Sequence, residues 1–173
     1  MIIFVAGVYG SGKTTICSRL AADLGYLSVS ASELIRARRG SATWNNSKKT
    51  KDIERNQSIL IEAVAELKTR YRNIILDGHF ALIDSESKIT ILPKNVFSKL
   101  KIDKIILIEA DIHEIQFRLK TRDKTEWNQP LLKELMGAER NNALAYHEET
   151  GIPLKIFNNK NYQAIASYLT KEQ

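Results

Sequence analysis

The sequence predicts a three-layer α/β fold, a parallel sheet with helices on both faces. Three observations predict it. Short apolar runs rich in Ile and Val alternate with helical patterns, the order that builds parallel sheets. The runs lack strict polar alternation, as strands buried on both faces do. The first run leads directly into a glycine-rich loop and then a helical pattern.

The runs at 2–6, 26–29, 74–76, 105–108 and 154–157 read as five strands. Helices are expected over 12–24, 31–39, about 51–70, 111–122, about 129–150 and 162–170. In the third helix Ile53, Leu60, Val64 and Leu67 keep to one face, the mark of an amphipathic helix. Pro130 suits the first turn of the helix that follows it. The stretches 41–50, "SATWNNSKKT", and 123–130, "DKTEWNQP", read as polar loops. No repeat or interdomain linker interrupts the chain, so residues 1–173 read as one domain.

Hydrophobic residues make up 43% and charged residues 27%, which are globular values. A single cysteine, Cys17, forms no internal disulfide, and it reads as buried and inert. The apolar start has strand length rather than signal length, and no run reaches the roughly 18 residues of a membrane span. The expectation is a cytoplasmic protein with no membrane partner. The formal charge is +6. The basic residues are spread along the chain, densest at 36–39 and 48–51. A solvated surface accounts for such scatter, with a nucleic-acid or small anionic partner still open.

Residues 7–14, "GVYGSGKT", satisfy G-x-x-x-x-G-K-[ST] in full. Gly7, Gly10 and Gly12 let backbone N–H groups turn inward and approach phosphate closely. The following helix adds free N–H groups and the positive end of its dipole. Lys13 reaches the β- and γ-phosphates of ATP, and the Thr14 hydroxyl ligates Mg²⁺. Ser11 and Thr15 complete the cradle. Kinases, ATPases and GTPases share this loop, so it leaves the reaction open.

Later motifs narrow the class. Residues 30–36 read Ser-Ala-Ser-Glu-Leu-Ile-Arg, and residues 74–79 read Ile-Ile-Leu-Asp-Gly-His. Arg118 and Arg122 stand four apart on an expected helix, and Glu139-Arg140 leads to Tyr146 and "TGIPLKI". Together these segments resemble the P-loop nucleoside monophosphate kinases, most closely the archaeal-type adenylate kinases and their bacterial relatives. The resemblance implies a five-stranded sheet of order 2-3-1-4-5. It implies an acceptor-binding insert over about 30–70, in which Ser30 and Arg36 meet the acceptor phosphate. It places Asp77 at the metal or the acceptor, with Gly78, His79 and Arg140 on the acceptor side. Many members follow Asp-Gly with Pro-Arg; here His79-Phe80-Ala81 stands instead, as in the archaeal branch. Arg118 and Arg122 then flank a short lid over about 123–130 and stabilise transferring charge. Asn158 and Asn159 face the ATP base through their backbone.

Simpler readings stand beside these. Ser30 with Glu33 forms a helix-capping box, and Asp77-Gly78 is a turn after a strand. Glu114 pairs with Arg118 at i,i+4 on a surface helix. Gln57 reads a nucleobase edge or lies on the surface. Trp44 and Trp127 stack on bases or anchor their loops. The functional expectation is ATP- and Mg²⁺-dependent phosphoryl transfer to a nucleoside monophosphate. The alternatives are an ATPase acting with an RNA or protein partner, and a kinase for a non-nucleotide or a nucleic-acid end. In the last case Trp44 and residues 48–51 would flank the groove. Oligomeric state stays open.

Overall fold

The computed structural model describes residues 1–40, 49–124 and 126–170. The central sheet is built from β1 (Ile2–Ala6), β2 (Leu27–Ser30), β4 (Ile74–Asp77), β7 (Lys104–Glu109) and β8 (Leu154–Asn158). Its order is β2-β4-β1-β7-β8, and each neighbouring pair is parallel. Counting these five strands alone, this is the expected order 2-3-1-4-5. The expected strand at 26–29 starts and ends one residue later.

Strand alternation divides the core. Ile2, Phe4 and Ala6 of β1 face one side with Ile74, Leu76, Ile105 and Leu107. Ile3 and Val5 face the other with Ile75, Ile106 and Ile108. Both faces are therefore apolar, which explains the unbroken Ile/Val runs. The first face is covered by α2 (Ala31–Arg39), α3 (Ile53–Arg70), α4 (Lys94–Leu100) and α6 (Gln129–Thr150). The second is covered by α1 (Lys13–Leu24) and α7 (Tyr162–Thr170). A third cluster, beside the glycine loop, gathers Val8, Ile115 and Leu119 of α5 (Ile112–Asp123), and Leu132 and Leu135 of α6.

The expectation of five strands was incomplete. A second sheet joins β3 (Lys49–Thr50), β5 (Ala81–Asp84) and β6 (Ile89–Ile91). Its hairpin turns on Asp84, whose Oδ1 accepts from the Glu86 and Lys88 N–H groups at 2.8 and 2.9 Å, an Asx-type turn. Helix α4 was also unexpected; Val96, Phe97 and Leu100 bury its inner face. Asp111 caps α5 through its side chain. Asn128 caps α6, with a proline in its first turn. Ser30 makes no side-chain cap to α2; its hydroxyl lies 2.9 Å from that of Ser32, so the capping box does not form.

Candidate active site

The glycine loop leaves β1 at the carboxyl edge of the sheet, where ligands of such folds bind. A cleft of about 620 Å³ opens there. Gly7 has φ 146°, and a Cβ on it would lie 2.5 Å from the Ile108 carbonyl oxygen, so only glycine lets the loop turn this close to β7. Lys13 is 5% exposed. Its Nζ donates to the Val8 carbonyl at 3.1 Å and lies 3.3 Å from His79 Nε2. It also stands 3.8 Å from Asp77 Oδ1. The Thr14 hydroxyl donates to Asp77 Oδ2 at 2.6 Å.

Asp77 ends β4 and Gly78 follows it. A Cβ on Gly78 would meet the Phe4 ring at 2.5 Å, so the turn can lie flat on the core only without a side chain. This sets His79 over the loop lysine, with its ring 4.6 Å from that of Tyr9. Burial pushes the Tyr9 phenol up, while the Ile83 backbone and Thr50 hydrogen-bond to it.

From the other side α5 presents Phe117, Arg118, Thr121 and Arg122 to the cleft. Arg118 donates to the Gly10 carbonyl at 3.1 Å and to Glu114 Oε1 at 2.5 Å. Asn159 donates to the same Glu114 oxygen at 3.3 Å. The i,i+4 pair thus exists, and it aims Arg118 at the phosphate loop.

The cleft continues away from the loop into an apolar chamber walled by Phe4, Leu60, Leu92, Val96, Phe97 and Leu100. Ser30, Asn56 and Gln57 add polar groups to it. Asn56 is committed to the protein: it donates to the Lys51 carbonyl at 2.9 Å and accepts from Arg39 at 3.1 Å. Gln57 is 6% exposed, and its Oε1 has no hydrogen-bond partner among the described residues.

Lys13, Thr14, Thr15, Gly10, Gly12, Ser30, Gln57, Asp77, Gly78, His79, Arg118 and Arg122 therefore line one cleft. Gly7 and Ser11 sit behind its wall, and Ser11 is fully buried. Three others of the expected site residues do not line the cleft. Arg36 is exposed and does not line the cleft. Ile35 takes the inward position on α2, and the next residue turns about 100° away. Arg39 is the arginine of that helix that reaches the chamber wall, through Asn56. Arg140 pairs with Glu109 at 2.5 Å beside a small separate recess, because its neighbour Glu139 faces inward. Asn159, rather than Asn158, lines the cleft; Asn158 accepts from the Lys160 N–H at 3.0 Å.

Trp127 packs toward Tyr9 at 5.7 Å and belongs to the cluster beside the loop, so it anchors its segment. Trp44 and Lys48 lie outside the described residues. Cys17 is buried, and burial pushes its thiol up, which leaves it inert. Sequence reasoning missed Tyr9, Arg39, Asn56 and Glu139. For Glu139 a signal existed: it sits in the stripe Leu132, Leu135, Glu139, Ala143, Tyr146, a carboxylate where the helical period calls for an apolar residue.

The chain is similar to known proteins. The family described as AAA domain matches residues 6–130. An adenylate kinase of Methanothermobacter thermautotrophicus is 30% identical over 170 residues, covering 94% of this chain and 92% of that protein. An adenylate kinase of Methanopyrus kandleri is 29% identical, covering 91% and 88%. Among solved structures, shikimate kinase from Acinetobacter baumannii in complex with shikimate superposes with a TM-score of 0.63 at 17% identity, covering 99% and 94%. A gluconokinase from Sinorhizobium meliloti gives 0.55 at 13% identity, covering 99% and 96%. The two structures share the fold. No helix among the described residues is long and apolar enough to cross a membrane. With a complete phosphate loop, a lysine and two arginines on one cleft, and relatives along nearly its whole length, the chain belongs to the P-loop nucleotide kinases of the archaeal adenylate kinase type, and it is a kinase-like phosphotransferase.

Proposed function

We propose that the protein transfers the γ-phosphoryl group of ATP to a nucleoside monophosphate. The observation that carries this reading is the single cleft that joins the phosphate loop to an apolar chamber, with Lys13, Asp77 and His79 at the junction. Walls of phenyl and aliphatic groups suit the flat face of a base. The Gln57 amide offers a donor and an acceptor for its edge. Shikimate and gluconate, the compounds behind the names of the structural neighbours, are hydroxyl-rich and match these walls less well.

Transfer spreads negative charge over the equatorial oxygens of the moving group. Lys13, Arg118 and Arg122 supply fixed positive charge from both sides of the cleft, where it is worth more than in bulk water. Thr14 and Asp77 present adjacent hard oxygens, a donor set that suits Mg²⁺ completed by phosphate and water. They would hold the ion, which neutralises phosphate charge when bound with ATP. The region 30–70 then serves as the acceptor side and 123–130 as a short lid.

The test is an acceptor screen. The protein is incubated with ATP·Mg²⁺ and AMP, CMP, GMP, UMP or dTMP separately, and products are resolved by chromatography. ADP together with a matching nucleoside diphosphate is the expected result. ADP formation with no diphosphate from any acceptor overturns the reading in favour of hydrolysis.

A further inference from the structure

Glu139 lies behind the cleft yet touches both halves of its machinery. It is 1% exposed. Its Oε1 accepts from the Gly7 N–H at 2.9 Å. Its Oε2 accepts from the Phe80 N–H at 2.8 Å and the Ala81 N–H at 2.7 Å. Gly7 opens the loop that carries Lys13, and Phe80 directly follows His79. We propose that Glu139 is a positioning residue, whose carboxylate clamps the phosphate loop to the His79 turn and so fixes Lys13 against His79 for phosphoryl transfer. The effect on rate rests on the transfer reading above; the clamp itself does not.

The chemistry requires an ionised carboxylate. Three N–H donors converge from two segments far apart in sequence, and a carboxylate is acceptor-only, with lone pairs for all three. A carboxamide or a protonated acid brings a donor of its own to face them, and at least one bond is lost. Burying the carboxylate in an otherwise apolar stripe has a cost, and burial pushes its pKa up, to about 7. Lys13 of α1 and the three N–H groups oppose that rise. Tyr9 faces it from the loop, the Glu109–Arg140 pair lies beside it across the small recess, and His79 sits on the turn it holds. The clamp is complete above about pH 7 and loosens below.

The test follows the Gly7, Phe80 and Ala81 amides by ¹H–¹⁵N NMR of the full chain through neutral pH, with kinetics alongside. In the wild type the three amides should share one midpoint near 7. In Glu139→Gln the midpoint shared by the three amides should vanish. That variant should lose at least about tenfold in kcat, with ATP Kd within about threefold of wild type. Unrelated midpoints in the wild type, or an unchanged kcat in Glu139→Gln, overturn the proposal. If Glu139→Gln does not fold, the wild-type titration still decides the clamp. If the wild type transfers phosphoryl to no acceptor, the functional reading falls, and the three amides still decide the clamp.

Discussion

Lys13 Nζ lies 3.3 Å from His79 Nε2. An ammonium has only donors, so the facing imidazole nitrogen presents its lone pair. The loop lysine is thereby aimed at the point where the phosphate cradle meets the apolar chamber. On the proposed reading, removing it takes away a charge aimed at the transferring group and leaves the backbone cradle in place. Lys13→Ala should lose at least about 10² in rate while remaining folded. Single-turnover rates at saturating ATP, with thermal unfolding alongside, check this. Activity within about threefold of wild type contradicts the loop's role in transfer.

Arg118 and Arg122 line the cleft from α5, and Arg118 already contacts the Gly10 carbonyl. Their charges should serve the transition state more than ground-state binding. Alanine at either position should lower kcat about 10²-fold with little change in ATP Kd. A purely surface role predicts an unchanged rate and a stability change of about 0.5 kcal/mol or less. Rapid-quench rates paired with equilibrium ATP binding separate the two.

On the proposed reading Gln57 serves the acceptor, and its Oε1 has no hydrogen-bond partner among the described residues. Gln57→Leu keeps the side-chain bulk and removes the hydrogen-bonding edge. It should raise the acceptor KM about tenfold or more, and leave ATP affinity within about twofold. Arg39→Ala should also raise that KM, because it frees Asn56 from its bond at 3.1 Å. Arg36→Ala should change it little, since Arg36 stands outside the cleft. Steady-state kinetics on the three variants check the assignment, and a selective effect of Arg36→Ala contradicts it.

Stability and activity should respond to pH in opposite directions. The Glu139 carboxyl is raised from 4.5 to about 7, chiefly by burial. A raised folded pKa means the folded state holds the proton more tightly than the unfolded chain. That stabilisation is complete below the ordinary Glu range and is lost as pH rises through about 7. The loss amounts to about 3 kcal/mol. Glu139→Gln should lack this component, so the wild-type minus variant stability should fall between acid and neutral pH. Urea unfolding of both proteins across that window checks it. A flat or rising difference contradicts the raised pKa.

The parts that were legible in the sequence are those whose partners are local. Residues 7–14 form one contiguous motif, and its strand and helix adjoin it. Strands β1, β4 and β7 were legible because strands buried on both faces must be apolar throughout, whereas the edge strands β2 and β8 are only partly buried and were legible as short apolar runs. What escaped depends on distant or rotational relationships. Glu139 bonds to Gly7, 132 residues away in the chain, and no local pattern names that partner. Arg36 and Arg39 differ in which side of α2 they occupy, a phase that charge alone does not reveal. Strands β5 and β6 are 4 and 3 residues long, too short for a period to declare itself.

If the γ-phosphoryl group moves to an acceptor held in the chamber beside Lys13 and His79, a label on it must follow. Tracing γ-³²P-labelled ATP tests this transfer most directly, with the preferred nucleoside monophosphate present in excess. Label should accumulate in the β-position of the nucleoside diphosphate while inorganic phosphate stays at background, and Lys13→Ala should form almost no labelled diphosphate. Label released as inorganic phosphate at the same rate with and without the monophosphate would contradict the transfer.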